Sequence, residues 1–294
     1  MKEEMRFITN YKESEQLRES FFELANSVFG LNFKSWYQHG FWGVGYIPFS
    51  YVVDDKVVAN VSINIIDFII EGNQKRALQV GTVMTHPDYR NRGLSKSLMY
   101  KVLDEYKNMY DFIYLFANES VLDYYPKFGF EIVDEQQFSI NFSSNQKSIN
   151  RPLKLNITNE DDINFIFKFA KERIPISNRF STVNAEGILM YYCLNVFCND
   201  IYYLESEDVI IIYSEDGNRI DIFDIISKQK IDIHNILQKI SGDGSKKVVF
   251  HYTPDYKGLI FESNPLKRAG TLFVKTGGNN SFPKHVKHPI TSEA

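Results

Sequence analysis

Apolar residues in the first half of the chain fall into short runs whose period changes at definable points. Residues 5–9 read as a short strand. From Glu13 to Phe29 the positions Leu17, Phe21, Leu24 and Val28 share one helical face. A shorter segment, Asn32 to Gln38, carries Phe33, Trp36 and Tyr37, and Gly40, Gly43 and Gly45 punctuate the stretch after it. Strands are predicted at Phe49–Val53 and Val57–Ile70, joined by the hairpin signal Asp54-Asp55. The turn Glu71-Gly72-Asn73 leads to a third strand, Arg76 to Thr85. His86-Pro87 ends it, because proline has no N–H to give a ladder. After Gly93 the period lengthens: Leu94, Leu98, Met99, Val102, Leu103 and Tyr106 line one face of a helix of about four turns. Phe112–Ala117 reads as a buried strand and Asn118 as the cap of a short helix through Tyr125. Phe130–Val133 and Phe138–Phe142 are the last strands of this series.

The polar run 143–150, followed by Arg151-Pro152, breaks the pattern. A second series then begins: a strand at Leu153–Ile157, a helix after Asn159-Glu160-Asp161-Asp162, and a helix near Ala185–Phe197. Paired strands come next at 201–213 and 219–226, with Glu215-Asp216-Gly217-Asn218 as their turn. A helix at Ile231–Ile240 and strands at Val248–Tyr252 and Thr271–Val274 close the chain. The order echoes the first half without a residue-level repeat. The expected division is 1–145, a linker at 146–152, and 153–294, in a mixed α/β (α+β) class.

Length agrees with two units, since 294 residues is twice the usual ~150. A chain 44% hydrophobic and 24% charged has ordinary globular composition, which excludes a disordered or collagenous chain. No apolar run reaches the ~18–20 residues of a spanning helix, and no apolar stretch follows Met1–Arg6. A cytoplasmic protein with no membrane partner is therefore expected. Net charge is −4, with 15 Lys/Arg against 19 Asp/Glu in residues 1–150 and 18 against 18 beyond, so neither half offers nucleic acid a basic face. Cys193 and Cys198 read as reduced thiols. His285 and His288 have no cysteine partners nearby in sequence, and no metal site is expected.

The stretch that carries chemistry runs Gly81-Thr82-Val83-Met84-Thr85-His86-Pro87-Asp88-Tyr89-Arg90-Asn91-Arg92-Gly93-Leu94-Ser95-Lys96. Its glycine stands between a strand and the first turn of an amphipathic helix. There, backbone N–H groups lack internal partners and the dipole places partial positive charge. Gly93 and the small Ser95 let a ligand approach the backbone, while Arg90, Arg92 and Lys96 add positive charge. The pattern suits a pyrophosphate.

Val83-x-Thr85-His86-Pro87-x-Tyr89-Arg90-x-Arg92-Gly93-Leu94-Ser95 resembles the acetyl-CoA-binding signature of the GCN5-related N-acetyltransferases (GNAT). Asn118-Glu119-Ser120-Val121-Leu122-Asp123-Tyr124-Tyr125-Pro126-Lys127-Phe128-Gly129-Phe130 is similar to a second motif of that family. The likeness covers residues 5–142. It implies the GNAT fold, a central mixed and mostly antiparallel sheet flanked by helices. Acetyl-CoA, the implied co-substrate, would lie in a splay between the strands Arg76–Thr85 and Phe112–Ala117. The main chain of Val83, Met84 and Thr85 would hold the pantetheine arm. Arg90 and the amides of Asn91, Arg92, Gly93, Leu94, Ser95 and Lys96 would hold the pyrophosphate. A main-chain N–H near Val83 would meet the oxyanion, and Tyr125 would be the general acid. Asn118 would cap its helix or reach CoA through water. The general base stays open among Glu119, Asp67 and a water chain. Departures from the family pattern are Ser95 and Val121, where smaller residues are usual, and Pro126 inside the short helix.

The implied reaction is acetyl transfer to a primary amine by direct attack in a ternary complex. The alternative is a non-catalytic acyl-CoA-binding or regulatory module. The second half reads Ser227-Lys228-Gln229-Lys230 where a phosphate loop would come, and is expected to be a degenerate GNAT-like domain. This layout resembles the first two domains of the enhanced-intracellular-survival type of aminoglycoside acetyltransferase. By that analogy the tail Phe282 to Ala294 turns back toward the active site, the alternative being an exposed, frayed end. The amine-bearing acceptor is expected opposite CoA, near Phe33, Trp36, Tyr37, Phe41 and Trp42, which either line its pocket or pack as core. The acidic balance of residues 1–150 favours a cationic acceptor. A homo-oligomer is also allowed for.

Overall fold

A computed structural model describes residues 4–144 and 152–294, so residues 146–151 of the expected linker lie outside it. The first half runs β1 (Arg6–Thr9), α1 (Glu15–Phe29), α2 (Lys34–Gln38), β2 (Tyr46–Val53), β3 (Lys56–Ile70), β4 (Asn73–Thr85), α3 (Leu94–Glu105), β5 (Phe112–Ala117), β6 (Glu131–Val133) and β7 (Gln136–Ser144). The second runs β8 (Leu153–Lys154), α4 (Glu160–Glu172), β9 (Phe180–Val183), α5 (Glu186–Asn195), β10 (Ile201–Leu204), β11 (Val209–Asp216) and β12 (Arg219–Ser227). It ends with α6 (Ile233–Ser241), β13 (Gly244–Phe250), β14 (Glu262–Pro265) and β15 (Thr271–Thr276).

The chain β1 to β4 is antiparallel throughout. Its two hairpins turn on two residues each, Asp54-Asp55 with φ of 47° and 59°, and Glu71-Gly72 with φ of 47° and 74°. Two left-handed residues give the turn whose twist matches that of the strands, and short polar Asp tolerates that conformation. β4 and β5 pair in parallel, and α3 covers the join with Leu98, Met99 and Val102 buried. The second sheet repeats this plan: antiparallel β10, β11 and β12, then a parallel pair, β12 with β13.

The two sheets exchange strands. β15, from the end of the chain, lies between β5 and β6 and is antiparallel to both. β9 pairs with β3, placing Phe180 opposite Ile70. In return β7 leaves the first half and pairs with β13 and β14 of the second sheet. Each sheet therefore holds strands from both sides of 146–152. One core cluster joins Phe21 and Trp42 of the first half to Ile166 and Ile210 of the second. The Trp36 ring N–H donates to the Gly187 carbonyl at 2.7 Å. A Cβ on Gly187 would stand 2.9 Å from the Phe41 carbonyl oxygen, so only glycine allows that approach. A fragment ending at residue 145 should not fold, because β5 and β6 lose the strand between them and β7 loses its sheet. Full-length protein should melt in one transition. A soluble fragment 1–145 with native-like circular dichroism would contradict this.

Several elements differ from the sequence pattern for local reasons. The stretch 118–125 is not an α-helix but two 3-10 turns, Glu119–Val121 and Tyr125–Phe128, because Pro126 cannot supply a helical N–H. β8 stops at Lys154: the Asn156 amide donates to the Asp162 carboxylate at 2.7 Å and the Thr158 amide to the Asn156 side chain at 3.0 Å, bonds that replace a ladder. The single strand expected over 201–213 is β10 and β11 around a turn at 205–208, where Asp208 is left-handed with φ of 52°. Among the described residues no helix is long and apolar enough to cross a membrane.

Candidate active site

The parallel register of β4 and β5 covers Ala77–Gln79 against Phe112–Tyr114 and no more. Past Gln79 the strands part. The cause lies on the other side of β4, where the β3–β4 register slips: Asn60 faces Met84, but Ser62 faces Gly81, so Thr82 and Val83 stand opposite Val61 alone. This is a β-bulge, with Thr82 left-handed at φ of 44°. The bent end of β4 opens a cavity of about 730 Å³. Of the residues singled out from the sequence, Val83, Met84, Thr85, Arg90, Ser95, Asn118 and Tyr125 line it. Asn91, Arg92, Gly93, Leu94 and Lys96 do not line it. They form the loop and first turn that connect Arg90 to the interior of α3.

Gly93 is the residue before α3, with φ of 74° and no side chain to cap the helix, so the first amides of α3 carry no side-chain acceptor from it. The loop is braced by its own side chains. Arg92 lies over the Tyr89 ring at 4.7 Å and donates to the Asp88 carbonyl at 2.9 Å. Arg90 Nε donates to the Thr85 carbonyl at 3.3 Å. Ser95 Oγ meets Thr85 Oγ1 at 2.7 Å, which ties the helix start to the strand and explains how serine serves where a smaller residue is usual.

The opposite wall comes from the two 3-10 turns. Asn118 makes no side-chain cap there. Tyr125 is buried against Tyr124, Phe130 and Phe273, the last from β15. Burial, with Tyr124 adding to it, pushes the Tyr125 phenol well above its ordinary value. Tyr124 also borders the cavity. Its hydroxyl is buried without a hydrogen-bond partner among the described residues, and burial pushes it up to about 12.

The remaining walls come from residues outside both motifs. Val28, Phe29 and Leu31, at the end of α1, face the cavity, and so do Gly81, Phe116 and Ala294. Of the two roles open to the aromatic stretch, the structure shows core packing: Phe33, Trp36, Phe41 and Trp42 are buried at 7, 4, 3 and 1% exposure, and Tyr37 packs against them under Arg18. Asp67 receives the Gln74 and Asn184 side chains at 2.7 and 2.9 Å far along β3, and Glu119 is exposed. Neither lines the cavity.

The tail folds back. Ala294 lies against Gly81, where a Cβ would stand 3.3 Å from the Ala294 carbonyl carbon. Oriented to match its partners, the Gln79 amide donates to the Ser292 carbonyl and accepts from the Ala294 N–H. Thr182 donates to Ser292 at 2.8 Å and Thr291 to Asp224 at 2.6 Å. Arg268 bridges Glu135 at 2.7 Å and Glu293 at 2.5 Å, and stacks on Phe116. Burial pushes the Glu293 carboxyl up to about 7 against the pull of Arg268.

The second sheet has its own divergence, after the register Arg219–Ile222 with Lys247–Phe250. There the chain covers part of the strand edge, beside a cavity of about 680 Å³. The Ile174 amide donates to the Ser227 carbonyl at 2.9 Å and Arg173 to the Ile225 carbonyl at 3.2 Å, so this segment lies on the end of β12. Asp232 caps α6 by accepting from the His234 amide at 2.9 Å, which puts a carboxylate where an anion would dock. Among the described residues no three His, Cys, Asp or Glu side chains are grouped to hold a metal ion.

Residues 14–133 match the model of the acetyltransferase (GNAT) domain. Curated proteins give no match. Among solved structures, Eis1 from Mycobacterium abscessus superposes with a TM-score of 0.56 at 14% identity, over 92% of this chain and 72% of its own. A GCN5-related N-acetyltransferase from Kribbella flavida gives 0.55 at 14% identity, over 93% and 71%. One from Anabaena variabilis gives 0.55 at 15% identity, over 92% and 73%. At these identities the likeness is one of fold, and it extends over both halves.

Proposed function

We propose that this chain, whose first half carries a GNAT acetyltransferase domain, transfers the acetyl group of acetyl-CoA to a primary amine. The observation that carries the reading is the unpaired edge of β4 beyond Gln79, which opens on a glycine-led helix start with no side-chain cap. The pantetheine arm pairs with the main chain of Val83–Thr85 like an added strand. The pyrophosphate accepts the amides of Asn91–Lys96, with Arg90 beside it. The amine enters between the end of α1 and Ala294 and attacks the thioester carbonyl carbon. As the C–N bond forms, an amide of the Thr82–Val83 bulge donates to the carbonyl oxygen, a contact typically worth about 3 kcal/mol. The C–S bond then breaks, the amine proton passes to solvent, and Tyr125 donates a hydrogen bond to the departing thiolate, which takes its proton from solvent.

Calorimetry should find one acetyl-CoA per chain, because in the second half the end of β12 pairs with Ile174 and the Asp232 carboxylate caps the start of α6. Thiol release with a panel of amines should show turnover. The acidic balance of residues 1–150 points to cationic acceptors, and rates that are flat between neutral amines and polyamines would remove that part. Absence of acetyl-CoA uptake would remove the whole reading.

A further inference from the structure

The bulge in β4 is strained. Thr82 branches at Cβ, and such residues rarely hold φ near +44°, so something must hold it there. Two side chains do. Asn60 Nδ2 donates to the Thr82 carbonyl at 2.9 Å, and Tyr46 OH meets Thr82 Oγ1 at 3.0 Å. Asn60 is wholly buried and its orientation is fixed from both ends. Its Oδ1 accepts from Ser50 Oγ at 2.8 Å, and its Nδ2 also donates to Ser62 Oγ at 2.9 Å. Ser50 in turn meets the buried Tyr11 hydroxyl at 2.7 Å. The network crosses β2 and β3 and ends in the core, so it carries no proton to solvent. Of its members only Thr82 lines the cavity. Burial pushes the Tyr46 hydroxyl up to about 12, which keeps it a donor at neutral pH.

We propose that Asn60 and Tyr46 are positioning residues, which hold Thr82 in its left-handed turn and so aim the bulge amides at the thioester carbonyl. The inference rests on the acetyl-transfer reading above and assigns to this chain the device that sets its oxyanion donor. A buried polar network spanning three strands is costly unless every member is satisfied. Here the satisfied chain of donors converges on the one strained residue at the splay. Glycine adopts positive φ without help, which gives the idea a specific remedy: in a chain lacking the Asn60 amide, Thr82→Gly should restore what was lost.

The test compares wild type, Tyr46→Phe, Asn60→Ala and Asn60→Ala with Thr82→Gly. Acetyl-CoA affinity should change by less than about threefold while kcat falls about tenfold or more, the split expected when a transition-state contact is misaimed. Acetyl-CoA labelled with carbon-13 at the carbonyl supplies a readout that needs no acceptor. The bound carbonyl resonance should move downfield in wild type, less so in the two single variants, and return toward the wild-type position with Thr82→Gly. Unchanged carbonyl shifts and kcat in both single variants would overturn the proposal. So would losses of affinity and rate in equal measure with the carbonyl unmoved, the mark of a purely structural role. If Asn60→Ala fails to fold, Tyr46→Phe, which removes one oxygen, decides alone. Wild type that polarises the carbonyl yet acetylates no amine would sink the transfer reading and leave the positioning role standing. Wild type that takes up no acetyl-CoA would sink both.

Discussion

A Gly93→Val protein should fold and yet bind acetyl-CoA at least about 100-fold more weakly, a loss of ~2.7 kcal/mol. Two effects add. Gly93 holds φ of 74°, where a β-branched residue is strained by roughly 1–2 kcal/mol. Against a folding stability of about 5–15 kcal/mol this lowers the melting temperature without unfolding the chain. The larger effect is on the ligand. Leaving aside its chain neighbours, no atom of the described residues lies within 4 Å of the Cβ that glycine lacks, so the new side chain projects into open space before the first turn of α3. That space is the approach a diphosphate needs to reach the amides of α3, and the valine methyls would hold it off. Calorimetry on folded variant checks this. Wild-type affinity in Gly93→Val would show that the loop holds no phosphate.

The same glycine shows what a single chain makes legible. Strand, loop and helix around Gly93 are adjacent in sequence, so the change of period at Leu94 and the lack of a capping side chain could be read directly. β5 was readable for a similar reason: Phe112–Ala117 is an unbroken apolar run, and the structure buries it between β4 and β15. The identity of that second neighbour could not be read. β15 lies more than 150 residues away, and nothing in Thr271–Thr276 distinguishes pairing with β5 from pairing with its own half. β14 had no signal, since Glu262–Pro265 is exposed throughout and joins β7 by ladder pairing and polar side-chain bonds from Glu262 and Ser263 rather than by apolar burial. β9 is four residues long, and only Phe180 and Ser181 are buried. The cavity divides in the same way. Its side along β4 and the start of α3 is a local motif. Its other side is assembled from α1, Phe116 and Ala294, whose meeting depends on Gln79, Arg268 and Thr182 at long range. The aromatic run Phe33–Trp42 left two roles open, because a cluster of rings marks a core or a pocket, and the structure makes it core.

The strained bulge belongs with the parts that could not be read. Thr82 and Val83 have the composition of an ordinary strand, and the register slip appears only once β3 and β4 are paired. Yet without that slip β4 would continue alongside β5 and there would be no splay. The sequence motif and the bulge are therefore complementary: one leaves the first amides of α3 without a side-chain cap, and the other frees the edge of β4.

Tyr125→Phe should lower kcat about 10²- to 10⁴-fold, the usual range for removing a positioned proton donor, with little change in the KM for acetyl-CoA. The phenol carries no hydrogen bond to any described residue, so its loss leaves no buried partner unsatisfied and the fold should be unaffected. Its raised pKa fixes the sign of the pH dependence. A phenol that burial pushes above its ordinary value stays protonated through the neutral and mildly alkaline range, so wild-type kcat should show no falling alkaline limb from this group below pH ~10. The departing thiolate, with an ordinary pKa of ~8.5, is less basic than the phenolate of a tyrosine held above 10, so full proton transfer to it is uphill. The buried donor therefore acts by hydrogen bonding to charge as it develops, where low polarity makes that bond strong. Tyr124→Phe is the necessary companion. Its hydroxyl is buried and unpartnered among the described residues, so removing it should leave stability unchanged or raised and kcat within about threefold of wild type. If instead the large loss follows Tyr124 and spares Tyr125, the 3-10 turn at Pro126 has moved the donor by one residue, and the acid must be reassigned.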